Sequence, residues 1–225
     1  VVVGPMNQTA LQATAVWWAC DATLLRPVAR RLFGDEWTDG YPRWRVVLGI
    51  FSQLVGFPVL FFAFALGRQE WLMEFFLLVF ACGLVQDCVR FPTTMGPLLL
   101  AHHAACLVGI LVARLAPGAE WASVFPWFFG GCTALEFGSG FNNIFWLRWL
   151  PQRLSELLYL SAMTVSNLVA IACVCAWATP PVSSVAMRGF SLAAIAVLVY
   201  HRQKETLRLC RVPVPHWLGR AGPSD

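Results

Sequence analysis

Six polar side chains lie within otherwise apolar runs of the sequence, and their types are those that carry chemistry in proteins. They are Gln53, Asp87, His102, His103, Glu136 and Asn143. Histidine acts as a general base or as a nucleophile, and a carboxylate can orient its ring. Ionisable groups are costly at membrane depth, so in membrane-spanning runs they indicate a functional site.

The adjacent histidines, His102 and His103, cannot both face the same way on a helix, because neighbouring residues differ by about 100°. We expect one ring to face the bundle interior and the other to meet a neighbouring helix. A hydrogen-bonded packing pair is the alternative to a functional pair. Asp87 has two readings as well: it orients a histidine, or it pairs with Arg90 at i+3.

Glu136, Gly140 and Asn143 fall on one helix face by their spacing. The small residue permits close approach of another helix or of a lipid chain. A protonated, purely structural glutamate is the alternative. Other polar residues, taken singly, suggest hydrogen bonds between helices; these are Gln53, Ser161, Thr164 and Asn167.

The composition indicates lipid as the solvent of this chain. Of 225 residues, 58% are hydrophobic and 12% are charged, where soluble domains carry about 25% charged residues. Fifteen of the sixteen basic residues are arginines at the ends of apolar runs, a membrane pattern that gives no reason to expect a nucleic-acid partner. The eight cysteines lack metal-ligand spacing, so we expect neither a metal, nor a resident cofactor, nor a disulfide framework.

A membrane-spanning helix needs roughly 20 apolar residues. Seven runs qualify, at about 9–25, 44–66, 71–90, 96–115, 119–147, 153–178 and 183–203. The predicted fold is therefore an all-α polytopic membrane protein with seven transmembrane helices. Its predicted parts are residues 1–43, an N-terminal transmembrane helix with a cytosolic linker from 26, then a membrane domain, 44–203, and a basic cytosolic tail, 204–225.

Seven spans divide the basic residues thirteen to three between the two sides. The positive-inside rule then places the C-terminus in the cytosol and the N-terminus in a lumen or outside. No basic segment precedes the first apolar run, so a cleaved signal peptide is not expected. All six polar residues fall in the cytosolic half of the bilayer. A polar chamber with apolar walls beyond it would suit a lipid whose head group faces the cytosol.

Three motifs in order resemble the TLC domain family, which is the membrane domain of ceramide synthases and their relatives. The first is Tyr41-Pro-Arg-Trp-Arg45. The second is Asp87 followed by Leu100-Ala-His-His103. The third is Glu136-Phe-Gly-Ser139-Gly-Phe141-Asn-Asn143-Ile-Phe-Trp146. The resemblance runs from about Arg43 to Arg202.

The resemblance implies a barrel of helices two to seven around a lipid-lined tunnel, in the endoplasmic reticulum. In ceramide synthases the histidine pair is catalytic, and one histidine passes an acyl group from acyl-CoA to a sphingoid amine. This chain departs from that pattern, because Ala-Ala-Cys-Leu-Val-Gly-Ile follows His103, no acidic cluster follows, and Gln53 stands where the family has a histidine. It is closer to the TLC domain-containing relatives than to true synthases.

Two functions follow as expectations. The first is a protein of sphingolipid or phospholipid metabolism that binds or regulates membrane lipids, with Gln53, Glu136 and Asn143 contacting the lipid. The alternative is an acyl-CoA-dependent N-acyltransferase, with His102 or His103 as nucleophile or base and Asp87 orienting it. A transporter ranks last, since the sequence has no internal repeat. Membrane lipids are the expected partners, with acyl-CoA as co-substrate of an enzyme, and assembly into a homo-oligomer is left open.

Overall fold

The computed structural model describes residues 7–38, 40–67, 70–95, 97–115, 118–178 and 185–211, and the chain is all-α, about 89% helical. The helices are α1 (Gln8–Cys20), α2 (Arg26–Phe33), α3 (Arg43–Phe51), α4 (Phe57–Gly67), α5 (Glu70–Arg90), α6 (Pro97–Leu115), α7 (Gly118–Leu147), α8 (Gln152–Ala178) and α9 (Val185–Leu209). π-Helical turns at Asp21–Leu25 and Ser52–Gly56 join α1 to α2 and α3 to α4.

Both π-helical turns end two residues before a proline, Pro27 in one case and Pro58 in the other. Proline has no N–H, and its ring crowds the carbonyl of the preceding turn. In the widened turn the residue just before the proline bonds five residues back, Arg26 to the Asp21 carbonyl and Phe57 to the Ser52 carbonyl. The chain therefore stays helical through both prolines.

The first part of the predicted linker from residue 26 is helical, because α2 continues the helix to Phe33. Arg26 forms an ion pair with Asp21, so the charge that ended the apolar run does not end the helix. Gly34, at φ +75°, ends it. The predicted tail likewise begins inside α9, which reaches Leu209. The rest of that tail, 212–225, lies outside the described residues.

Three helical segments in the described part of the chain are long and apolar enough to cross a membrane: Arg43–Gly67, Trp71–Arg90 and Gln152–Ala178. A shorter apolar stretch, His102–Leu111, lies in α6. Large apolar side chains also cover the outer surface, among them Leu66, 88% exposed, and Val89, 73% exposed. An apolar exterior around buried polar groups is compatible with a membrane protein.

The centre of the bundle is α7, which packs along α8 and also against α3 and α4. Two glycines allow this close contact. A Cβ at Gly138 would collide with Ser166 of α8, and a Cβ at Gly140 would lie 2.5 Å from Leu54 Cδ2. The close approach predicted at Gly140 is thus confirmed, with the segment Ser52–Gly56 as the partner.

A phenylalanine cluster fills the bundle on one side of the polar residues. Phe80 and Phe129 precede Asp87 and Glu136 by seven residues each, roughly 10 Å along the helix axes. The rings pack edge-to-face, stacked or tilted, with centroids 4.0 to 5.8 Å apart. The cluster comprises Phe57, Phe64, Phe76, Phe80, Phe125 and Phe129. The cluster therefore fills α4 and the first halves of α5 and α7, on the side away from Asp87 and Glu136.

A two-residue hairpin precedes α3, with β1 (Trp37–Thr38) paired antiparallel to β2 (Tyr41–Pro42). Gly40 has φ +81°, and a Cβ there would lie 2.8 Å from the Thr94 carbonyl oxygen, so the turn requires glycine. Tyr41 packs edge-to-face on Phe91 at the end of α5. The hairpin thereby fixes the start of α3 beside the end of α5.

Candidate functional site

One cavity of about 1430 Å³ lies inside the bundle. Its lining includes all six residues predicted from the sequence: Gln53, Asp87, His102, His103, Glu136 and Asn143. They come from four separate helical segments between residues 43 and 147. The structure therefore brings together every predicted site residue, although their chemical roles remain predictions.

Asp87 is neutralised by Arg45, not by Arg90 as one reading of the sequence had it. Arg45 Nε donates to Asp87 Oδ1 at 3.0 Å, and Arg45 Nη2 donates to Oδ2 at 2.7 Å. This is a two-pronged pair, the strongest geometry available to arginine and a carboxylate. The Asp87 side chain is only 8% exposed, so the pair joins α3 to α5 in the interior.

The two histidines differ in how they are held. His103 Nδ1 donates to the Leu99 carbonyl oxygen at 2.9 Å, since that oxygen can only accept. His103 Nε2 faces Asp87 Oδ2 at 3.7 Å. His103 Nδ1 is thus held by a hydrogen bond, Nε2 stands beside the Asp87 carboxylate, and the ring is buried. His103 is the anchored member of the pair.

His102 is the free member of the pair. Its ring stands at 83° to that of His103, with the centroids 5.8 Å apart. Its nitrogens contact Cys106 Sγ at 3.7 and 3.8 Å, and a thiol is a weak partner. His102 is half-buried and lines the cavity. A ring nitrogen of His102 can therefore reach a ligand without breaking a strong hydrogen bond.

The side-chain amide of Gln53 links the other two predicted residues, Glu136 and Asn143. Gln53 Nε2 donates to Glu136 Oε2 at 2.8 Å, and Asn143 Nδ2 donates to Gln53 Oε1 at 2.8 Å. Gly49 lies beside them: a Cβ there would be 3.3 Å from Asn143 Nδ2 and 3.6 Å from Arg45 Nη1. Glycine at this position leaves room for the arginine and the amides on one side of α3.

Arg202 of α9 lines the same cavity and was not predicted as a site residue. Its Nε donates to Asn167 Oδ1 at 3.1 Å, its Nη1 to Ser139 Oγ at 3.0 Å and its Nη2 to the Leu135 carbonyl at 2.8 Å. The hydrogen bonds between helices that were predicted for Asn167 and Thr164 are confirmed, because they accept from Arg202 and Gln203 of α9. We call Arg45, Gln53, Asp87, His102, His103, Glu136, Asn143 and Arg202 the polar cluster.

Arginines are what the sequence interpretation missed. Arg45 and Arg202 flank apolar runs and were not predicted as site residues, although Arg45 ends the first of the three family motifs. A helical spacing was available as a signal: Arg45, Gly49 and Gln53 recur every four residues, which places them on one face.

The N-terminal helix also reaches the cavity. Trp17, Trp18, Asp21 and Arg26 line it, and Arg26 Nη2 donates to Gln86 Oε1 of α5 at 2.8 Å. The sequence interpretation had kept this helix outside the barrel. In the structure α1 packs against α5 and closes one side of the cavity.

Much of the remaining wall of the cavity is apolar. It includes Phe80, Cys132, Val174 and Leu198, from four different helices. No group of three or more histidine, cysteine or acidic residues suited to a metal occurs among the residues the structure describes. All eight cysteines are free. The arrangement offers an amphiphile a polar end and an apolar wall.

Comparison with known proteins finds no match: no family model, no curated protein and no solved structure matches this chain.

Proposed function

We propose that this protein binds a membrane lipid inside the bundle, with the head group at the polar cluster and the acyl chain along the apolar wall. The observation that carries the proposal is the joining of both surfaces in one cavity of about 1430 Å³. Ligand pockets of about 300–1,000 Å³ hold drug-sized molecules, so a lipid with a long chain matches this larger volume.

The proposed setting is a seven-span membrane protein of the TLC type in the endoplasmic reticulum, with its C-terminus in the cytosol. The residues that carry the resemblance support it, since Asp87, the histidine pair, Glu136 and Asn143 line one cavity. A role in sphingolipid or phospholipid metabolism follows from the same proposal. The functional partners are membrane lipids.

Photo-crosslinking tests where the lipid lies. Purified protein in neutral detergent would be incubated with monoolein that carries a diazirine in its acyl chain, illuminated, and digested for mass spectrometry. We expect crosslinks at the half-buried wall residues Cys132, Val174 and Leu198. Excess unlabelled monoolein should abolish them, because the cavity is a saturable site.

The outward-facing residues Leu66 and Val89 provide the internal control, since both are exposed and outside the cavity lining. Labelling there reports contact with the detergent-lipid belt and should not saturate. Crosslinks confined to such outer positions would contradict the proposal.

A second candidate, an acyl-CoA-dependent N-acyltransferase, is favoured by one observation: the weakly held ring of His102 faces the cavity. An unencumbered imidazole nitrogen can accept a proton from an amine, or an acyl group from a thioester. His103 would act as a positioning residue for this ring, because its own ring is buried, held by the Leu99 carbonyl, and packed edge-to-face on His102.

The two histidines should separate in an acylation assay with acyl-CoA and a sphingoid base. If the protein is an enzyme, His102→Ala lowers the turnover rate by about 10²-fold or more and leaves the melting temperature near that of the parent. His103→Ala lowers the melting temperature as well, since it removes a buried group beside Asp87. No product with any acyl chain length, or equal rates in both variants and the parent, would eliminate the acyltransferase.

A further inference from the structure

Arg202 is a charged side chain held by neutral groups. Its three hydrogen-bond acceptors are an amide oxygen, a hydroxyl and a backbone carbonyl, from Asn167, Ser139 and Leu135. Among the residues that the structure describes, no carboxylate lies within 4.0 Å of its nitrogens, whereas Arg26 and Arg45 each have one. Glu136, the acid next along α7 from Leu135, accepts instead from Gln53.

Arg202 lines the cavity and is half-buried, so its guanidinium faces the cavity without a carboxylate of the described residues in contact. Arginine does not lose its proton in proteins, so the charge cannot be removed by titration. A charge in a low-dielectric interior is expensive without an opposite charge. Within the described part of the chain Arg202 therefore contacts neutral acceptors alone, and an anionic group that enters the cavity would pair with it directly.

The guanidinium is also preorganised for such an anion. It has five N–H donors, and the three hydrogen bonds use one on each nitrogen, which leaves one on Nη1 and one on Nη2. Two donors match the two oxygens of a carboxylate or a phosphoryl group. Behind it, Asn167 Nδ2 donates to Gln203 Oε1 at 3.0 Å and Gln203 Nε2 donates to Thr164 Oγ1 at 3.0 Å, so α8 and α9 hold the arginine in place.

Gly138 of α7 leaves space for the Arg202 guanidinium. A Cβ at this position would lie 3.0 Å from Arg202 Nη2. The missing side chain leaves room for the guanidinium to reach the Leu135 carbonyl of α7. Arg202 of α9 is thus held by hydrogen bonds to both α7 and α8.

We propose that Arg202 is the anion subsite of the cavity and that it binds the phosphoryl or carboxylate group of an anionic lipid head group. This inference rests on the proposed lipid-binding function and names its ligand class. The polar end therefore discriminates between lipids by head-group charge.

The test compares two amphiphiles with the same chain, 1-oleoyl-lysophosphatidate and monoolein, in equilibrium binding to the purified full chain in neutral detergent. We expect the lysophosphatidate to bind about tenfold more tightly or better, from one charge-assisted contact. Arg202→Gln should abolish that difference, because the lysophosphatidate loses far more affinity than monoolein does. Arg202→Lys should keep part of the difference in affinity, since lysine retains the charge but cannot donate two parallel hydrogen bonds.

Arg208→Gln is the matched control, because Arg208 is on the same helix, carries the same charge and is exposed beside Glu205. It should behave as the parent. Equal binding of both amphiphiles by the parent protein would overturn the anion subsite, whether or not Arg202→Gln folds. Parallel loss of both amphiphiles in Arg202→Gln would also overturn it, because the arginine would then be structural.

Inorganic phosphate as a competitor identifies the source of the anion. Displacement of the lysophosphatidate by millimolar phosphate would support a subsite that accepts free phosphate, and resistance to it would support a lipid head group anchored by its chain. If the parent binds neither amphiphile, the lipid-binding function itself fails. If it binds both equally, only the anion subsite fails.

Discussion

Replacing Arg45 with methionine is expected to lower the free energy of unfolding by about 3–5 kcal/mol, the cost of leaving a buried charge without its partner. Asp87 would be that charge, since its side chain is 8% exposed and both of its oxygens accept from Arg45. The loss should appear as a lower melting temperature in detergent, followed by tryptophan fluorescence.

Two companion variants separate the ion pair from other effects. The double variant Arg45→Met, Asp87→Leu should recover most of the lost stability, because two apolar side chains leave no charge behind. Arg43→Met, two residues away, removes an exposed pair with Glu36 at 3.4 Å and should cost no more than about 1 kcal/mol. Equal melting temperatures for Arg45→Met and Arg43→Met would show that the pair contributes nothing to stability.

The positions of the helices were predictable from the sequence because each apolar run is long and ends at charged or turn residues. Five of the seven predicted runs agree with helices in the structure to within a few residues at both ends, whereas the first and the last helix continue beyond their predicted ends. The errors arose where a helix continues through charge. At Arg26 an ion pair, and in α9 inward hydrogen bonds from Arg202 and Thr206, keep the chain helical beyond its apolar part.

The partners within the site were beyond prediction for a different reason. Asp87 and Arg45 are 42 residues apart, and Glu136 and Gln53 are 83 apart. Apolar periodicity gives the face of a helix but not the rotation of one helix against another. That rotation depends on where backbones can approach, as at Gly138 and Gly140.

Adding a large side chain at Gly83 or Gly109 should block the cavity. Both glycines line it, and a Cβ at either position would meet no atom within 4 Å. Gly83 is one turn from Asp87 on α5, and Gly109 is two turns from His102 on α6. A tryptophan at either place would occupy the path between the polar cluster and the apolar wall, without loss of helix propensity.

The matched control is Gly189→Trp in α9, where a Cβ also meets no atom within 4 Å but which lies outside the cavity lining. All three variants make the same change in composition, in a helix. Melting temperatures near that of the parent would show that each protein is folded. A difference in lipid affinity between the cavity variants and Gly189→Trp is then caused by the loss of space in the cavity.

Equilibrium binding of monoolein to the parent protein and to these three variants tests the lipid-binding cavity most directly. Internal binding predicts that Gly83→Trp and Gly109→Trp weaken the affinity by about tenfold or more, a loss of at least about 1.4 kcal/mol. It also predicts that Gly189→Trp binds as the parent does. Unchanged affinity in both cavity variants, with the proteins folded, would contradict a lipid site inside this bundle.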